Sequence, residues 1–94
     1  MTARRSTAVR LVLPAVLVNL FPGARREVDV AATSVREAID ALNTRWPGMR
    51  DRLCDSRPAI RRHVNVFVDG DKATLETPLT PGTEVIIMTA ISGG

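Results

Sequence analysis

Ninety-four residues suffice for one domain with a core of its own, without metal or disulfide staples. The chain is 45% hydrophobic but only 3% aromatic, so its interior must be built from Val, Leu, Ile and Ala. The formal charge of +3 rests almost wholly on arginine, Lys72 being the only lysine, and no stretch approaches the roughly 20 apolar residues of a membrane span.

Residues 1–7 are polar and read as a flexible N-terminus. Arg4 and Arg5 ahead of an apolar segment have the outline of a signal peptide, but Arg10 and Pro14 interrupt that segment and it alternates like a strand. "AVRLVLP" sets Val9, Leu11 and Leu13 against Arg10 and Val12, a half-buried strand stopped by Pro14. "AVLVNLFPGA" is apolar without a clean period and reads as a packed loop or a short helical turn closed by Pro22-Gly23. "REVDV" follows as a second strand with Val28 and Val30 on one side, making a hairpin with a long connection.

The main helix is the clearest local signal. Ser34 and Glu37 form a capping box, and Val35, Ala38, Ile39, Leu42 and Trp46 recur at helical spacing until Pro47-Gly48 ends the run. "MRDRLCD" adds a short turn burying Met49 and Leu53, and 57–62 is a loop. In "HVNVFVDGDKATL" the Asp69-Gly70 pair demands a tight hairpin turn. Val64, Val66 and Val68 then face the core, with Asn65 and Phe67 opposite. After Pro81-Gly82, "TEVIIMT" turns Val85 and Ile87 inward and Ile86 and Met88 outward. The order β-β-α-β-β-β predicts an α+β fold, a mixed sheet with one main helix packed on one face. Val9, Leu11, Val66, Val68, Val85 and Ile87 are its expected core.

The residues that usually carry catalysis are thinly spread. His63, the only histidine, opens a strand and reads as a hydrogen-bonded edge residue; no second ligand at metal spacing accompanies it. Cys54 lies in the apolar context "RLC" and reads as a small packed side chain in a reducing cytoplasm, not as a nucleophile. Gly70 and Gly82 are isolated turn residues, not a phosphate loop. The arginines are interleaved with Asp and Glu, with doublets only at 4–5, 25–26 and 61–62. This fits a solvated surface better than a nucleic-acid stripe, and a basic face toward an acidic protein partner stays open. No catalytic residue, bound cofactor or metal is expected.

Two features remain. Phe67, Ile86 and Met88 project from the sheet face that the single helix leaves uncovered, which marks a partner site unless the "AVLVNLF" segment folds over it. The chain then closes on "TAISGG". Gly93 and Gly94 lack Cβ atoms, so this backbone fits a channel too narrow for side chains. A carboxylate at Gly94 is a poor electrophile. Adenylation by ATP would make it a mixed anhydride, from which a sulfur nucleophile yields a thiocarboxylate.

This layout, with Gly93-Gly94 behind an apolar last strand, resembles the ubiquitin-like (β-grasp) sulfur carriers of molybdopterin, thiazole, tRNA-thiolation and cysteine pathways. The resemblance spans Ala8 to Gly94, with a β-grasp domain over 8–89 and a flexible tail over 90–94. "HVNVFVDG", Pro14, Gly23 and the loop before His63 are most similar to the cysteine-synthesis carrier; "SGG" in place of "AGG" is a small departure. The resemblance implies a non-enzymatic, cytoplasmic carrier. Its Gly94 is adenylated by an E1-like adenylating and sulfurtransferase enzyme that uses ATP and docks on Phe67, Ile86, Met88 and Ile91. The sulfur acceptor would be an enzyme such as a PLP-dependent cysteine synthase, with no nucleic acid or membrane partner. The alternatives are the small subunit of molybdopterin synthase or another metabolite's carrier, then a ubiquitin-like protein modifier, then a nucleic-acid-binding or adaptor module.

Overall fold

Alternation of apolar and polar residues builds β1 (Ala8–Val12) and β2 (Glu27–Ala31), antiparallel, with Val9 opposite Val30 and Leu11 opposite Val28. The computed structural model describes residues 8–89; the flexible segments expected at 1–7 and 90–94 lie outside the described residues. Between the strands the chain forms α1 (Ala15–Leu20), the helical alternative for the apolar segment. Pro14 precedes it with φ −74°, a value its ring enforces and a helix entry tolerates. Only Leu17 of α1 is buried; Val16 and Leu20 stay 43% and 47% exposed.

The main helix α2 (Val35–Arg45) starts where its cap predicts. The Ser34 hydroxyl accepts from the Glu37 N–H at 3.1 Å. The Glu37 carboxylate reaches back one residue further than expected, accepting from the Thr33 N–H at 2.8 Å and the Thr33 hydroxyl at 2.7 Å. These bonds hold the Glu37 pKa below its ordinary value. The next free amides, of Val35 and Arg36, donate to the Thr77 and Leu75 carbonyls at 3.0 Å, tying the helix entry to the segment after the second hairpin. A left-handed Gly48 (φ +101°) turns the chain into α3 (Met49–Leu53), which buries Met49 and Leu53.

The second hairpin joins β3 (Val64–Val68) to β4 (Asp71–Lys72) through Asp69 and Gly70, both at positive φ, and β5 (Glu84–Thr89) follows. β4 is only two residues long because the chain beyond it leaves the sheet to serve the entry of α2. The strands order as β2-β1-β5-β3-β4, with β5 parallel to β1 and antiparallel to β3.

The helices and the inner sheet face enclose one core. Val9, Leu11, Val66, Val85 and Ile87 are buried as expected, against Val35, Ile39 and Leu42 of α2. Each contributes on the order of 1.5–3 kcal/mol of apolar transfer. Val68 departs from the expectation: it is only partly buried, because it faces inward at the sheet margin beside the Asp69-Gly70 turn. Trp46 ends α2 at its C-cap and is half-buried against the core.

Candidate partner-docking site

Because side chains alternate along a strand, the pairing register decides which residues share the outer face. Val12 of β1 lies opposite Ile86 of β5, and Ile86 in turn lies opposite Phe67 of β3; Met88 lies opposite Asn65. Phe67, Ile86 and Met88 therefore occupy the predicted face, but they are not equally open. Met88 is 50% exposed, whereas Phe67 and Ile86 are half-buried.

The α1 helix does not cover this patch. It runs alongside and forms a wall, so that Val12, Pro14, Val16, Ile86 and Met88 line a groove of about 340 Å³. Arg26 stands at the same groove, its Nε donating to the Leu13 carbonyl at 2.6 Å while the Leu13 N–H donates to the Arg26 carbonyl at 2.7 Å. Phe67 shares the face but not the groove lining. Sequence reasoning missed Val12, Pro14 and Val16. The outward phase of β1 already placed Val12 there; Val16 carried no such signal, since α1 is too short for a readable helical period.

The other half of the outer face is charged. Arg10 approaches Glu27 at 3.6 Å and Asp29 at 3.4 Å and lies opposite Glu84 in the register with β5. These pairs are exposed, so each is worth at most about 1 kcal/mol. Their effect is to confine the apolar area to the end of β5 nearest Thr89.

The remaining candidates occupy less reactive places. Cys54 is buried, and that burial pushes its thiol pKa up, which disfavours the thiolate a nucleophile needs. His63 is exposed just ahead of β3. Among the described residues, no group of three or more His, Cys, Asp and Glu is placed to hold a metal ion, and no helix is long and apolar enough to cross a membrane. Ile91, Gly93 and Gly94 lie outside the described residues.

The sequence pattern of the ThiS family matches residues 12–94, from the end of β1 through the glycine pair. The chain belongs to the ThiS family. Its relatives are small ubiquitin-like sulfur carriers and modifiers of the β-grasp fold. Small archaeal modifier protein 1 of Haloferax volcanii is 33% identical over 70 residues, covering 74% of this chain and 79% of that protein. Among solved structures, the Amycolatopsis orientalis BexX/CysO complex contains a chain that matches with a TM-score of 0.82 at 26% identity, over 92% of this chain and 99% of that one. Mycobacterium tuberculosis CysO matches with a TM-score of 0.80 at 25% identity, over 88% of this chain and 99% of that one. In this ThiS-family chain the apolar groove lies along the strand that leads into residues 90–94.

Proposed function

We propose that this protein is a sulfur carrier whose Gly94 carboxylate is the reacting group. An E1-like enzyme attacks ATP with that carboxylate, releasing pyrophosphate and leaving an acyl-adenylate. A sulfide donor then displaces AMP to give the thiocarboxylate. The sulfur serves biosynthesis, with cysteine as the first assignment, through a PLP-dependent synthase as acceptor.

The observation that carries this reading is the apolar groove of Val12, Val16, Ile86 and Met88 beside β5 in a ThiS-family chain. It offers the activating enzyme a foothold next to the strand that delivers the tail. Likeness to the two CysO structures supports the cysteine assignment. A second reading, conjugation of Gly94 to other proteins, is supported by the 33% identity to Small archaeal modifier protein 1.

Mass spectrometry separates them. With ATP, an E1-like partner and a sulfide donor, the carrier should gain the mass of one oxygen-to-sulfur exchange at Gly94. Deleting Gly94, or Gly93→Val with its β-branched side chain, should abolish the gain. Thiolation of the deletion variant at the parent rate would defeat the reading. Isopeptide-linked adducts in place of the thiocarboxylate would favour the modifier.

A further inference from the structure

A second groove lies where the 55–62 loop faces the start of β3 and the segment after β4, one strand over from Met88. It encloses about 390 Å³. Its apolar lining includes Pro58, Ile60, Val64 and Leu75, and Arg61, Arg62 and Lys72 line it as well. Arg62 and Lys72 are exposed, whereas Arg61 is half-buried with its Nε donating to the Asp51 carbonyl at 2.9 Å. One carboxylate, Glu76, lines the groove, and its charge is paired with Arg36.

The loop wall is held in shape by one side chain. The Asp55 carboxylate accepts from the Arg57 and Ala59 N–H groups, each at 3.0 Å, and from the Arg57 Nε at 3.0 Å. The chain then doubles back, with the Asp55 N–H donating to the Ala59 carbonyl at 2.8 Å and the Arg61 N–H to the Leu53 carbonyl at 2.9 Å. The wall is thus formed before any partner arrives, which lowers the ordering cost of binding.

We propose that this groove is a docking site for an acidic peptide segment of a partner protein, with an aliphatic side chain on Ile60 and Leu75 and carboxylates at Arg61, Arg62 and Lys72. Charge decides the class of occupant: among the described residues, three cations line the groove and the one carboxylate is already paired. The apolar lining calls for a ligand that carries aliphatic as well as acidic groups. No aromatic residue is among those lining the groove, so it lacks the stacking platform a nucleobase would use. The site shares no lining residue with the Val16–Met88 groove.

The test is a two-dimensional NMR titration with a synthetic peptide bearing an Ile-Val core flanked by Asp and Glu. The controls are the same core flanked by Lys and a short single-stranded DNA. The acidic peptide should shift the amides of Ile60 to Val66 and Lys72 to Leu75 and leave Val12 and Val16 unmoved. The double variant Arg62→Glu/Lys72→Glu should bind about tenfold more weakly. Leu20→Asp, at an exposed position that lines neither groove, should bind as the parent does, and added salt should weaken binding in both. The proposal is overturned if the acidic peptide shifts nothing or shifts Val12 and Val16 instead. Equal binding of the Lys-flanked peptide, undiminished binding by the charge-reversed variant, or tighter binding of the DNA at the same residues would overturn it too.

Discussion

The two faces of the sheet are built from the same strands and, toward the end of β5, from the same apolar residue types, yet one is closed and the other open. On the inner face Leu11, Val66, Val85 and Ile87 are covered by α2 and are at most 2% exposed. On the outer face their chain neighbours Val12, Phe67, Ile86 and Met88 meet no second helix laid across them; α1 forms only one wall of a groove. Hydrophobicity alone therefore does not distinguish core from docking surface. The distinction lies in strand phase together with what the connections cover.

The contrast can be broken first from the closed side. Leu42 of α2 is fully buried, and Leu42→Ala deletes its core contacts and leaves a cavity. A loss of about 2–5 kcal/mol is expected, read as a shift of the urea midpoint. A loss below about 1 kcal/mol would show that α2 does not close the inner face.

From the open side, Met88→Asp should change stability by no more than about 0.5 kcal/mol, as for an exposed position. The same change should weaken binding to the activating enzyme about tenfold or more, because a charge is desolvated at the contact. Phe67→Asp sharpens the comparison. It should cost more stability than Met88→Asp because Phe67 is half-buried, and less binding because it lies outside the groove. Thermal melts and a binding isotherm on the same two variants give both orders.

The cover itself depends on the entry of α2. Ser34→Ala removes the hydroxyl that accepts from the Glu37 N–H and should cost about 1 kcal/mol. Binding at the outer groove should be unchanged in the protein that remains folded.

The smallest effect concerns acid. Hydrogen bonds from Arg57, then from Ala59, hold the Asp55 carboxyl down to about 2. A carboxyl depressed in the folded state adds stability above its unfolded value, about 3.9, and loses it as pH falls through the folded one. The 55–62 loop should therefore hold near pH 4 and loosen as pH approaches 2, seen as faster amide exchange at Arg57 and Ala59. Asp55→Asn should erase that step. Its partner Arg57 is exposed, so global stability should hardly move.

Much of this was legible in the sequence, for reasons that can be named. The strands announce themselves by period two, α2 by its cap and its apolar stripe, and the hairpin by Asp69-Gly70, whose positive φ values few other pairs tolerate. Phe67, Ile86 and Met88 followed from phase alone. The α1 helix did not declare itself, because six residues span less than two turns and Val16, Leu17, Val18 and Leu20 are apolar all round. The second groove was less visible still. It joins Arg61 and Arg62 to Lys72 across a fold-back that Asp55 holds together through main-chain amides, and no local periodicity encodes such a contact. Burial at Val68 was overestimated because alternation reports direction and not depth.

The pairing of β5 between β1 and β3 also bears on how the protein is made. A ribosome delivers β1 before β5, so the middle strand of the sheet is the last of the described strands to arrive. Until Glu84–Thr89 emerges, β2-β1 and β3-β4 are separate hairpins with no strand to join them, and Ile86 and Met88 have no groove to line. Contacts between strands this far apart in sequence also form late and slowly. A docking partner that reads the outer face would therefore engage only chains in which β5 has been made and paired, with shorter ones screened out.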